Sequence, residues 1–555
     1  MDLNVSMVSH AFAILSGCYN LNSPDYSLGK GPKITADIAQ DLINRGTPYV
    51  FVANIPDGTL FPYSMLVITE TLANLIPTLT RPLPLPYTWI IEAAGAAADR
   101  YLRNSHHVIE VEGRNFYRLN HIHAMHKTLY GFLPLSLVAF LYDTITTLQS
   151  QIIGQYNYSL NKALKKVKGN IVYFDFAALL EELALYPKDY GLATTLVAHC
   201  TLGYSSRSCD FNSPYYHPES SLFSDWFHPS PEAHHMMAQN ILAIFNAPLY
   251  ISAIARDFSH LNEVRSFYLQ GLITTFPRGK IKPHLFAAVS NGNDQDTLWI
   301  NSKSHSVNLL HFGVIQSINR HWTLGAALSL ASEKVHPHTL LHYHVRYQAV
   351  SLLAQYQSEG PFYFNGNIAL SHLDTRSIKR SVLIGPRLLN LSGQTEALGI
   401  AALLRAGLQA PFRAHEERGV FVQIDAAHYD VHGFDEQGKK FLAMHYSPYV
   451  YTKENLSLGL NYLYRSDRLP LNFQLETLLK RPLGKRSFAI SSHLKDVPIS
   501  FKRQILPKEH VSFAINSHLN WYLNRHQSLT LDLGIESDST HPHYRYALSW
   551  RSPSN

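Results

Sequence analysis

The chain has 555 residues, of which 46% are hydrophobic, 12% aromatic and only 16% charged, with a net charge of +6. That is too long for one ordinary domain and apolar enough to build at least two large cores, while its charge-poor, aromatic-rich balance fits an outer-membrane protein better than a soluble enzyme. The positive charge is spread out with no long Lys/Arg block, so nucleic acid is excluded as an expected partner.

Only three cysteines occur, Cys18, Cys200 and Cys209, which suits a chain that crosses an oxidising compartment without a disulfide framework; Cys200 and Cys209 could close a small loop. The densest of the scattered histidines, His336, His338, His342 and His344, lack the Cys or carboxylate set that would complete a metal site. That run reads as a solvated loop, and no metal or cofactor is expected. The most apolar stretch, Leu133 to Tyr142, stops at Asp143, short of the ~18 to 20 residues a membrane-crossing helix needs. The opening residues, Met1-Asp-Leu-Asn-Val-Ser-Met, show no basic, apolar and small-residue order of a secretory signal.

From about residue 34 the pattern is α/β. Ile34, Ile38 and Leu42 share one helical face, Gly46 can close the helix, and Tyr49 to Ala53 reads as a short buried strand. Ile171 to Phe176 repeats the strand signal and leads into a helix over Ala177 to Leu185. Between them, residues of about 58–145 read as a long insertion with mixed helix. After about residue 264 the period becomes two: Leu529, Leu531, Leu533 and Ile535 face one way, Thr530, Asp532, Gly534 and Glu536 the other. The pattern recurs about a dozen times, in segments of about ten residues whose second face is polar or small, with aromatics near strand ends at Tyr464, Trp521 and Trp550. A tilted spanning strand needs that length, a wet lumen that second face, and a closed barrel is the sheet that satisfies its backbone in lipid.

The sharpest local motif is Ser224-Asp-Trp-Phe-His-Pro-Ser-Pro-Glu-Ala-His234. Ser230 can cap a helix whose first position is Pro231, with Met237, Ile241 and Ile244 following at helical spacing. Asp225 and His228 then sit on the loop just before a helix, where a carboxylate can orient an imidazole as general base for a serine nucleophile. A bare Asp-x-x-His is more often a capping Asp beside a surface His.

This block resembles the last block of GDSL-type (SGNH) esterases and lipases, Asp-x-x-His-Pro-[Thr/Ser] before the final helix. Tyr49 to Pro56 resembles that family's strand into its Pro-containing loop, and Phe174-Asp-Phe with Tyr186-Pro-Lys-Asp-Tyr-Gly191, Cys200 and Cys209 resembles the stretch leading to the block. The order matches esterase autotransporters. The resemblance implies an incomplete, three-layer, flavodoxin-like α/β passenger over 1–262, with a joining helix at about 232–258, and a membrane barrel of about 12 antiparallel strands over 264–555. It also implies Asp225 and His228 as two thirds of a triad, a lipid or lysophospholipid ester as substrate, and outer-membrane lipid and barrel-assembly machinery as partners. The expected setting is the outer membrane of a Gram-negative bacterium, with the passenger at the cell surface. No Gly-Asp-Ser or Gly-x-Ser-x-Gly occurs in the sequence, and the family's oxyanion Asn is matched only by Asn20 in Gly17-Cys-Tyr-Asn20, after a one-residue slip. The chain is therefore expected to lack the signal and nucleophile blocks. Expected activity is that of an impaired carboxylic-ester hydrolase, or of a non-catalytic barrel bearing a passenger remnant; a porin-like barrel with a plug is the third reading.

Overall fold

The computed structural model describes residues 30–62, 64–65, 68, 87–128, 131, 133–207, 209–276, 282–295, 304–413, 415–466, 469–484, 487–506, 511–524, 527–537 and 542–553. The N-terminal part mixes helices with short parallel strands. The helices are α1 (Gly31–Asn44), α2 (Tyr87–Arg103), α3 (Arg114–Thr128), α4 (Leu135–Leu164) and α5 (Phe176–Leu185). The strands are β1 (Val50–Ala53), β2 (Ile171–Phe174), β3 (Thr194–Ala198) and β4 (Ser221–Phe223). Among the described residues, parallel pairing is confined to β1 with β2 and β3 with β4, so the continuous sheet of a three-layer fold is represented by two separate pairs.

Helix α1 forms where expected, and Gly46 follows it with φ +93°, a left-handed turn that glycine adopts without strain. Its buried face differs from the expected one. Ala36 and Ala39 pack inward while Ile34 and Ile38 stand 42% and 40% exposed, because the small face permits close approach to the long helix α4. The stretch read as an insertion contributes α2, α3 and part of α4 to the same core. Arg103 of α2 donates to the Ala198 carbonyl of β3 at 2.6 Å, and Tyr117 of α3 donates to the Ala184 carbonyl of α5 at 2.6 Å.

The long helix α6 (Pro231–Thr274) leads from this domain into the barrel, whose first strand begins at His284 rather than near residue 264. At ~1.5 Å per residue its 44 residues span roughly 66 Å, enough to cross the domain edge and the whole lumen. The expected end at about 258 falls short because the inner half is enclosed on all sides: Phe258, Leu261, Val264, Tyr268 and Leu272 are all buried, which erases the one-sided apolar stripe that marks a surface helix. Among the described residues it is the helix long and apolar enough, by length and composition, to cross a membrane, and its inner half is enclosed by the barrel.

Twelve strands close that barrel: β5 (His284–Gln295), β6 (Ser304–Ser317), β7 (Trp322–His338), β8 (Leu341–Gln357), β9 (Phe362–Ile384), β10 (Arg387–Arg413), β11 (Glu416–Val431), β14 (Tyr449–Arg465), β15 (Leu471–Pro482), β18 (Ser512–Tyr522), β19 (Ser528–Ser537) and β20 (Pro542–Pro553). All pairs are antiparallel, and β20 closes on β5. The outward face carries an apolar belt that includes Val350, Leu370, Leu460, Leu533 and Leu548, with Trp322, Trp521 and Trp550 exposed near strand ends. Connections at one end are two to five residues long, whereas the other end carries a four-stranded cap of β12 (Phe434–Asp435), β13 (Met444–Tyr446), β16 (Phe488–Leu494) and β17 (Phe501–Ile505). The N-terminal domain docks on the capped end: Tyr49 donates to the Lys502 carbonyl at 3.2 Å, and Arg387 reaches Glu182 at 3.1 Å and Asp189 at 3.0 Å.

The lumen is polar, as the alternation implies, and α6 occupies it, leaving a polar cavity at its C-terminal end lined by Thr274, Gln355, Asn365, Asn461 and Gln474. Glu263 of α6 pairs with Lys453 and, at 3.4 Å, with Arg545, which also reaches Glu536 at 2.7 Å. Gly534 faces the helix where a Cβ would lie 2.8 Å from the Phe267 ring, so glycine there lets helix and wall meet. The packing weighs against the porin-like reading. Glu263→Ala removes the helix carboxylate that anchors two wall cations, and single-channel recording in planar bilayers should then show openings that the parent barrel lacks. Identical current traces would contradict the anchoring role.

Candidate active site

The Asp225–His228 segment follows β4 and precedes α6, held by its own backbone. The Ser224 N–H donates to the His228 carbonyl at 2.8 Å, and the Ser230 N–H to the Leu222 carbonyl at 3.0 Å. Ser230 caps α6 through its hydroxyl, which accepts from the Ala233 N–H at 3.1 Å, and Pro231 occupies the first helical position as expected.

Asp225 is fully buried, and every acceptor direction of its carboxylate is used. Oδ1 accepts from the N–H groups of Phe227 at 2.9 Å and His228 at 2.7 Å, Oδ2 from that of Ser206 at 2.7 Å, and His228 Nδ1 lies 2.9 Å from Oδ2. Burial pushes the carboxyl upward, but the bonds from the His228 ring and from those backbone N–H groups outweigh it and hold Asp225 at about 2. The bond to Asp225 raises His228 above its ordinary value against the opposing pull of partial burial. With Nδ1 engaged, a proton there leaves Nε2 as the basic nitrogen, and the side chain is 54% exposed. Among the described residues, no serine hydroxyl lies within hydrogen-bond distance of His228. A capping Asp beside a loose surface His would not show this: here the ring is fixed by the same carboxylate that organises the loop.

Sequence reasoning missed Ser206, which acts through its backbone. It is presented by a loop closed by a disulfide between Cys200 and Cys209, and the nine-residue spacing was the available signal. The Cys200 N–H also donates to the Ser224 carbonyl at 2.8 Å, tying that loop to the Asp225 segment. Replacing both cysteines by serine should cost the passenger about 2 to 3 kcal/mol, the loop-closure value for a ring of this size. Comparing passenger melting in oxidising and reducing buffer checks it; equal melting would show that the disulfide does not support the site. Cys18 and Asn20 lie outside the described residues.

Residues 285–534 match the autotransporter beta-domain family, and residues 94–241, which include Asp225 and His228, match the GDSL-like lipase/acylhydrolase family. The chain carries a GDSL-type lipase domain on an autotransporter β-domain. The lipase match begins inside the stretch read from sequence as an insertion, in keeping with α2 and α3 packing into the common core. This GDSL-type autotransporter is 24% identical over 354 residues to "Lipase 1" of Photorhabdus luminescens, covering 61% of this chain and 51% of that protein. It is 21% identical over 427 residues to "Esterase EstA" of Pseudomonas aeruginosa, covering 70% and 64%. The chain thus spans between half and two thirds of the length of these curated relatives. Among solved structures, the translocator domain of autotransporter NalP from Neisseria meningitidis aligns with TM-score 0.43 and 10% identity, over 55% of this chain and 99% of that one. The autotransporter β-domain and the closed, apolar-belted barrel place the chain in the outer membrane of a Gram-negative bacterium.

Proposed function

We propose that the passenger of this GDSL-type autotransporter is built for hydrolysis of carboxylic esters of lipid or lysophospholipid type, with His228 as general base and Asp225 as its orienting carboxylate. The observation that carries the reading is the His228 ring held at Nδ1 by a fully hydrogen-bonded Asp225 while its other nitrogen is left for substrate chemistry. In that role His228 Nε2 takes the proton of a serine hydroxyl as its oxygen attacks the ester carbonyl, then returns it to the leaving alkoxide. The names of the matched lipase and esterase support an ester, and a lipid ester in particular, as substrate. The domain docks on the barrel end with the longer connections, which in outer-membrane barrels face outward, so the same proposal puts the passenger at the cell surface. Insertion by the barrel-assembly machinery and a division into an N-terminal passenger and a barrel, joined through α6, belong to this reading.

The sequence holds no Gly-Asp-Ser, and we infer little ester turnover by this polypeptide taken alone. That favours, as second reading, a non-catalytic barrel bearing a passenger remnant. A fluorophosphonate probe on the refolded full chain separates the two. No labelled serine is expected; labelling that disappears in His228→Ala would overturn the inference of low turnover and establish the esterase.

A further inference from the structure

The histidine run His336 to His344 does not form a solvated loop. It lies on β7 and β8, joined by a tight hairpin, and three of its four rings stand on the outer wall of the barrel. Outward residues on β7 are the even-numbered ones, from Trp322 through Leu324 and Leu328 to Ser332, Lys334 and His336. Across the register, Ser332 faces Arg346 and Arg346 faces Asp374 of β9; one step further out, Lys334 faces His344 and His344 faces Arg376. Beyond them the rings of His336 and His342 stack with centroids 5.5 Å apart, and His342 pairs with Lys379. The one outward carboxylate in this area, Asp374, is taken by Arg376 at 2.7 Å. Among the described residues, Lys334, Arg346 and Lys379 have no carboxylate partner. On the neighbouring strand β10 the charge reverses at Glu396, which lies 3.6 Å from His372 and bounds the patch.

Position along the strand decides what this surface meets. Lys334 is twelve residues from the exposed Trp322 near the short-turn end of the same strand. At ~3.3 Å per residue and a tilt of ~40°, that is roughly 30 Å along the barrel axis. The apolar belt of such barrels is about 25 Å tall, so the three basic rows occupy roughly the 10 Å just beyond it, on the capped side. That layer holds lipid head groups. Like charges gathered there without counter-carboxylates repel one another unless an anion lies among them.

We propose that the outer wall of β7 to β9 binds the phosphate groups of an outer-leaflet lipid, with Lys334, Arg346 and Lys379 as the principal contacts. The occupant is a phosphorylated glycolipid whose acyl chains lie on the apolar belt below. A cation beside an anionic lipid surface is worth about fivefold in binding, so three together give on the order of a hundredfold. The test is native mass spectrometry of the refolded full chain in detergent, titrated with diphosphoryl lipid A. The wild type should retain the lipid; Lys334→Gln/Arg346→Gln/Lys379→Gln should bind about a hundredfold more weakly while keeping the compact mobility of a folded barrel on an unheated gel. Arg481→Gln, an outward cation on β15 across the barrel, should bind like wild type. Equal retention by the triple variant, equal binding of fully dephosphorylated lipid A, or displacement of the lipid by excess inorganic phosphate would each overturn the proposal.

Discussion

Arg380→Ala is expected to detach the cap from the barrel rim and α6 at a cost of about 3 to 5 kcal/mol, the range for breaking one partner of a buried ion pair. Arg380 of β9 and Glu436 of the cap are both buried and meet in a two-pronged bond of 2.8 and 2.6 Å. The same guanidinium donates to the Leu442 carbonyl at 3.0 Å and to the Ala243 carbonyl of α6 at 3.3 Å, so one side chain ties barrel, cap and helix together. Without it, Glu436 keeps only the Tyr446 hydroxyl and the Met444 N–H as donors, too few for a desolvated carboxylate. The barrel ladder is untouched, so the damage should be local: faster proteolysis within 432–448 and 483–511, with unheated gel mobility preserved. A second change, Glu436→Leu, removes the stranded charge and should recover much of the loss. Proteolysis unaltered in Arg380→Ala would show that the pair does not hold the cap.

Legibility in the sequence followed the range over which each signal acts. Strands of the barrel were readable because inside and outside alternate along each one, so Leu531 and Leu533 are exposed where Thr530 and Asp532 are buried. The Asp225–His228 pair was readable because both residues and their helix cap lie within one short block. The inner half of α6 was not, since a helix surrounded by a barrel is buried all round and carries Glu263 and Arg265 toward partners on strands 190 and 86 residues away. The α1 face was misread for a related reason: Ala36 and Ala39 pack closely where Ile34 and Ile38 carried the stronger periodic signal. Contacts that fix the site from a distance, such as the Ser206 N–H on Asp225, are backbone features and leave no residue type to recognise.

Asp225→Ala should lower passenger stability by about 3 kcal/mol and release the His228 ring, since the part-buried N–H groups of Ser206, Phe227 and His228 lose their shared acceptor at about 1 kcal/mol each. The pH dependence has a defined sign. Asp225 sits at about 2 in the folded protein against an ordinary 3.8, so its contribution is present above about pH 4 and is lost as pH falls through 2; a shift of that size corresponds to roughly 2 kcal/mol. His228 is shifted upward from 6.5, so the stability it adds is complete below 6.5 and disappears as pH rises through its folded value. Both shifts report one Asp–His interaction and are not summed. The pair should therefore stabilise the passenger most between about pH 4 and 6.5, and Asp225→Asn should flatten that profile by offering an amide where the carboxylate held a charged ring. In the nuclear magnetic resonance titration of the His228 ring, the wild type should titrate above 6.5 and Asp225→Asn at or below it. A ring that titrates identically in both proteins would mean that Asp225 organises the loop without orienting His228, which would remove the main support for a catalytic role.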